Sequence, residues 1–162
     1  MRKALLALLL LCGQAGAVAP GAAAPEFSLA GANGQVNLAD YRGKYVYVDF
    51  WASWCAPCKR SFPWMGTLQK RFGPSGLQVV AINVDAARAD ADRFLASTPA
   101  AFTIAYDPAG TTPRKYAIKG MPSSVLIDPQ GQVLFVHAGF NDATAADIEA
   151  QIQQAVQKKE KP

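Results

Sequence analysis

The sequence predicts an α/β fold, a central mixed β-sheet flanked by helices on both faces. Three observations carry that prediction. Short β-branched and aromatic runs alternate with segments whose apolar residues recur every three or four positions, the order expected of βαβ units. Two late runs, within "SSVLIDPQGQVLFVHAG", are joined by the turn Asp128-Pro129-Gln130-Gly131 and should pair antiparallel, which makes the sheet mixed. Near the start, "FSLAGANGQVNL" alternates around Asn33-Gly34, so an N-terminal β-hairpin is expected to turn there, because both residues tolerate positive φ. The chain has 162 residues and is 51% hydrophobic, enough for one domain with its own core.

The elements follow in order. "MRKALLALLLLCGQAGA" (1–17) reads as a cleaved export signal, with Arg2 and Lys3 as its positive end, Ala4 to Leu11 as its apolar run and Ala15-Gly16-Ala17 as its cleavage site. That run is far short of the ~20 residues needed to cross a bilayer, so the mature chain is expected not to be transmembrane. Leu11 stands where a lipoprotein signal carries a small residue, which argues against a lipid anchor on Cys12. Residues 18–25 are small and proline-bounded and read as a short linker, followed by a domain over 26–158 and a charged tail at 159–162. Within the domain, "KYVYVDFWA" suits a strand buried on both sides. Phe62, Met65, Leu68 and Phe72 then mark one face of a helix. "GLQVVAINVD" is a second buried strand, and "ADADRFLAS" a short helix stopped before Pro99. "FTIAYDP" is a strand, and "TPRKYAI" a short helix with proline in its first turn. After the hairpin over 123–138, Ile148, Ile152 and Val156 recur four apart on a closing amphipathic helix.

Composition excludes several function classes. Of 16 basic residues, Arg2 and Lys3 leave with the signal, so 14 face 12 acidic ones and are scattered. No nucleic-acid partner is expected from so balanced a surface. Loss of the signal also removes one of the three cysteines, leaving Cys55 and Cys58 in a compartment where disulfides persist, read as the bacterial periplasm.

Those two cysteines sit where a strand ends and a helix begins. Cys55 should fall at the N-cap or first turn, where unpaired N–H groups and the helix dipole favour an anion. Its thiol should therefore ionise below the ordinary value of about 8.5, helped by Lys59 and Arg60. The i, i+3 spacing brings both sulfurs within bonding reach, with Cys55 exposed and Cys58 shielded behind it. A purely structural staple around so small a loop would stabilise little. Zinc needs four ligands, and the mature chain adds only His137 to the two thiols. Copper(I) accepts two thiolates, with Met121 a further candidate ligand, so a periplasmic copper(I) chaperone is the competing class of function. Asp49, a lone carboxyl in an apolar strand, should be buried and hold its proton more tightly than usual.

"VDFWASWCAPCK" and "KYAIKGMPS" together resemble the active-site segment and the Y-x-I-x-G-x-P segment of thioredoxin. The resemblance runs from about Pro25 to Val156. The added N-terminal β-hairpin and a β/α insertion after residue 85 are similar to the exported TlpA/ResA-like (redoxin) branch of thiol–disulfide oxidoreductases. The implied fold is the thioredoxin fold, and the implied pair is a redox-active Cys55–Cys58 disulfide with no cofactor. By resemblance Cys55 is the nucleophile and Cys58 the resolving thiol, with Pro122 the cis-proline facing them. Trp51, Trp54, Met121 and Gly139 would line the substrate groove, although core packing is an equal reading of Trp51. Asp49 matches the acid that exchanges a proton with the second cysteine in thioredoxin. Many branch members instead place a glutamate where this chain has Ser61. The peroxiredoxin signature P-x-x-x-T-x-x-C is absent, since Val48 and Ala52 occupy its proline and threonine positions. Implied partners are cysteine-containing exported proteins as substrates and a membrane thiol reductase as electron donor. With Ala56-Pro57 between the cysteines and no histidine there, a potential in the reducing half of the range from about −270 to −120 mV is expected.

Overall fold

The computed structural model describes residues 18–159. The expected signal segment, including Cys12, and the last three residues lie outside the described part. Among the described residues, seven strands form one sheet: β1 (Ser28–Gly31), β2 (Gly34–Asn37), β3 (Tyr45–Trp51), β4 (Leu77–Asn83), β5 (Thr103–Tyr106), β6 (Ser123–Ile127) and β7 (Val133–Ala138). Helices α1 (Ala56–Phe72), α2 (Arg88–Ser97), α3 (Thr111–Lys115) and α4 (Asp142–Lys159) connect or close them, and a 3-10 turn spans Leu38–Tyr41. The strand order is β2-β1-β5-β4-β3-β6-β7. Strands β3, β4 and β5 run parallel, whereas β6 pairs antiparallel with β3 and β7, and the β1–β2 hairpin joins β5 antiparallel. The mixed sheet and the element order are those expected.

Every residue of β3 is buried, which is why its sequence lacks the polar alternation of a half-exposed strand. Its side chains alternate between two cores. Tyr45, Tyr47 and Trp51 face Phe62, Met65 and Leu68 of α1, Phe94 of α2 and Ile148 and Ile152 of α4. Val46, Val48 and Phe50 face the opposite way, toward Phe27, Leu38 and Tyr116, which follows α3. Helices thus cover both faces, and the end of β3 is fixed from each side. Pro63 lies inside α1, which runs through it as one helix.

The hairpin turn differs from its expected position by one residue. Gly31 pairs with Gly34, so the loop is Ala32-Asn33, and only Gly34 takes a positive φ, at 119°. Ladder register decides this: the left-handed residue is needed where the chain re-enters the sheet, and glycine accepts it without a Cβ clash. The stretch expected as a linker lies against the β6–β7 turn. Gly21 N–H donates to Val133 O at 2.8 Å, Val133 N–H to Ala22 O at 2.9 Å and Ala24 N–H to Gly131 O at 2.9 Å.

Candidate active site

Strand β3 delivers the chain into the turn Ala52-Ser53-Trp54, and α1 begins directly after Cys55. Cys55 is the N-cap of α1, in extended conformation, with Pro57 in the first turn. A fixed φ and a missing N–H suit proline to that place. Cys55 and Cys58 are joined by a disulfide with their Cα atoms 5.3 Å apart. The Cys58 N–H donates to Cys55 Sγ at 3.3 Å, so the positive end of the helix is aimed at this sulfur. No acidic residue opposes it in the first turn, where Lys59 and Arg60 stand exposed.

The exposure of Cys55 departs from expectation. Cys55 is 3% exposed and Cys58 0%, so their rank is as expected but Cys55 is buried. In the bridged form its sulfur is tied to a partner inside the α1 core cluster, and the turn presents Trp54 instead, which is 71% exposed. Trp51 is wholly buried against Phe62 and Phe94, each ring centroid 4.7 Å away. It supports the turn from beneath and has no surface to offer a groove.

The other edge comes from the loop before β6. The Met121–Pro122 peptide is cis, and Pro122 O accepts the Gly139 N–H at 2.8 Å. Met121 is half-buried and packs against the core cluster that holds both cysteines. Gly139 is exposed at a positive φ of 80°. The sequence places Cys55, Cys58, Met121, Pro122 and Gly139 in three separate segments; the sheet brings the ends of those segments to one side.

Asp49 lies on the face of β3 that carries Tyr47 and Trp51, toward α1, opposite Ser124 of β6. It is buried, and Oδ2 has no hydrogen-bond partner; the Trp51 Nε1 on the same face also lacks one. Burial pushes the Asp49 carboxyl well above the usual carboxylate range. Neighbouring Tyr47 is raised as well, chiefly by burial and then by Asp49, while its bond with Ser124 works the other way. Ser61, at the alternative proton-handling position, is buried and donates its hydroxyl to Cys58 O at 3.1 Å.

Sequence reading missed Asp85. This buried acid just beyond β4 accepts bonds from the Ser53 N–H and hydroxyl, both at 2.9 Å, in the active-site turn. The polar residues Asn83 and Asp85, directly after the apolar run of residues 79–82, were the available signal for Asp85. Beside this turn lies a cleft of about 240 Å³ lined by Ser53, Lys59, Asp90, Arg93, Phe94 and Ser97. A larger cavity of about 830 Å³, between the β1–β2 hairpin and the segment around Phe102, lies away from the disulfide. His137 is on β7, with Nε2 3.1 Å from Gln151 Nε2, and among the described residues no group of three or more His, Cys, Asp or Glu gathers as a metal site.

A family model described as Redoxin matches residues 19–152. The thiol-disulfide oxidoreductase ResA of Bacillus subtilis (strain 168) is 34% identical over 123 residues, covering 75% of this chain and 69% of the relative. ResA of Geobacillus kaustophilus (strain HTA426) is 33% identical over 138 residues, covering 85% and 78%. Among solved structures, a candidate thiol:disulfide interchange protein DsbE from Chlorobium tepidum superposes with a TM-score of 0.85 at 51% identity, covering 86% of this chain and 99% of that one. The Redoxin match takes in the whole sheet, both cysteines and the cis-proline loop, and the chain belongs to the Redoxin family as a ResA-like thiol–disulfide oxidoreductase.

Proposed function

We propose that this protein works in the periplasm, reducing disulfides of other exported proteins by exchange at Cys55 and Cys58. The observation that carries the reading is the Cys58 N–H donated to Cys55 Sγ at the head of α1, an arrangement that favours a thiolate on Cys55. Export is supported by the leader sequence, with cleavage after Ala17. Among the described residues no helix is long and apolar enough to cross a membrane.

The reaction starts from the dithiol. Cys55 thiolate attacks one sulfur of a substrate disulfide, forming a mixed disulfide and releasing the other substrate sulfur as a thiolate that takes up a proton. Asp49 accepts the proton of Cys58, whose thiolate then attacks Cys55 Sγ. That step closes the Cys55–Cys58 bond and releases the second substrate sulfur, so two electrons have passed to the substrate. The substrate backbone lies along Pro122, beside Met121, Gly139 and Trp54. A membrane thiol reductase returns two electrons to the pair.

The test is capture. In Cys58→Ala, resolution cannot occur, and exported proteins accumulate on Cys55 as adducts that a reductant releases. No adducts, together with retention of copper(I) by the reduced protein against a competing chelator, would overturn the reading in favour of the copper carrier. Equilibration with glutathione addresses direction: a potential near −120 mV, the DsbA end of the range, would overturn reduction as the role.

A further inference from the structure

Asp85 is 5% exposed, and its carboxyl is bonded both to the active-site turn and to the end of β4. Its Oδ2 accepts the Ser53 N–H at 2.9 Å and the Asn83 side-chain amide at 2.7 Å, and its Oδ1 accepts the Ser53 hydroxyl at 2.9 Å. Asn83 is itself held: its Oδ1 accepts the Asp85 N–H at 3.1 Å, and its backbone oxygen accepts the Asp107 N–H at 2.8 Å. One residue on, Val84 N–H donates to Trp51 O at 3.0 Å. A buried carboxylate is expensive to desolvate and is retained only where donors are aimed at it. Here two of the three donors belong to one residue, Ser53.

Ser53 stands two positions before Cys55, inside the turn that Cys55 N–H closes onto Ala52 O at 3.1 Å. Fixing both its backbone and its hydroxyl leaves that turn little freedom at its midpoint. The turn in turn decides whether Cys55 stays at the N-cap, with the Cys58 N–H on its sulfur. We propose that Asp85 is a positioning residue of the thiol–disulfide reaction, acting through Ser53 to hold Cys55 at the head of α1. It touches neither substrate nor sulfur. The proposal rests on Cys55 being the attacking thiol, and it adds what keeps that thiol reactive.

Geometry and charge make opposite demands here. A negative charge near Cys55 opposes a thiolate, so if Asp85 acted by charge alone, its removal would favour ionisation. If it acts by position, its loss releases the turn and disfavours the thiolate. Ser53→Ala separates the two, because it removes one strut and leaves the charge in place. It also guards against Asp85→Asn failing to fold.

The experiment follows alkylation of Cys55 by iodoacetamide against pH in the reduced protein, and its equilibrium with glutathione. Ser53→Ala and Asp85→Asn are expected to alkylate about three to ten times more slowly at pH 6.5, and to shift the equilibrium toward the disulfide by a similar factor, since the thiolate belongs to the reduced state. Ser53→Thr, which keeps the hydroxyl, should behave as wild type. Unchanged titration and equilibrium in both disruptive variants, with only a lower denaturation midpoint, would reduce Asp85 to a structural role and overturn the proposal. Faster alkylation in Asp85→Asn alone overturns it too, by assigning the effect to charge. An ordinary midpoint for Cys55 already in the wild type would sink the functional reading and this proposal with it, whereas a low wild-type midpoint that the variants leave unmoved sinks only this proposal.

Discussion

Asp49 is a carboxyl with an unpartnered oxygen in the middle of a sheet, and burial alone accounts for its raised affinity for a proton. That has a consequence for stability as well as for catalysis. The unfolded chain gives up this proton near pH 4, at about 3.9, whereas the folded chain keeps it to a higher pH. Its contribution to stability is therefore complete below the unfolded value and is lost as pH rises through the folded one. Asp49→Asn should abolish that loss: in urea unfolding between pH 4 and 8, the wild-type midpoint falls with pH by more than that of the variant. The same substitution should slow resolution of the mixed disulfide about a hundredfold near pH 7, the usual scale for losing a general base. Stopped-flow release of a reduced model peptide measures it. A variant with wild-type release would remove Asp49 from the mechanism, even if its stability behaved as expected.

At the scale of elements, α1 and α4 lie on the same face of the sheet and share a core cluster with both cysteines, but the hydrogen bonds described for the active-site turn come from its own residues, α1 and Asp85 rather than from α4. Ile152 is wholly buried there, so Ile152→Ala should cost about 2–5 kcal/mol in chemical denaturation while leaving Cys55 alkylation as it was. Slower alkylation would show that α4 packing reaches the active-site turn. Ile152 was identifiable from sequence because its spacing from Ile148 and Val156 repeats the helical period, and that spacing is what burial selects. The same held for Phe62, Met65, Leu68 and Phe72 on α1. The hairpin turn was harder, because composition favours Asn33-Gly34 and only the ladder register, with Gly31 opposite Gly34, moves the loop to Ala32-Asn33. The cysteine pair was legible from its spacing and its place after a buried strand. The burial of Cys55 was not, since exposure depends on packing by residues distant in sequence. Nor was the bond from Ser53 to Asp85, which joins positions 32 residues apart and leaves no local pattern.

For the whole molecule, the ends of the domain are set by what the two cores can hold. The core opposite α1 is closed at one edge by the N-terminal stretch, with Ala24 buried in it and Val18 packed against it. Three backbone hydrogen bonds join residues 21–24 to residues 131–133, where the β6–β7 connection would otherwise leave those groups unpaired. At about 1 kcal/mol for each bond, plus the packing of two small side chains, this stretch should supply about 3–4 kcal/mol. A chain begun at Pro25, which keeps the carbonyl that receives the Tyr116 hydroxyl at 2.8 Å, isolates that contribution. It should lose about that much stability in urea unfolding and melt about 6–15 °C lower, yet reduce a model disulfide at the wild-type rate at 25 °C, because the active-site turn stands on β3, β4 and α1. A chain begun at Val18 is the reference in both assays. Equal stability of the two shortened chains would mean that residues 18–24 only lie on the sheet edge. A truncated chain that is stable but slow would mean instead that the edge of β7 communicates with the cis-proline loop through Gly139.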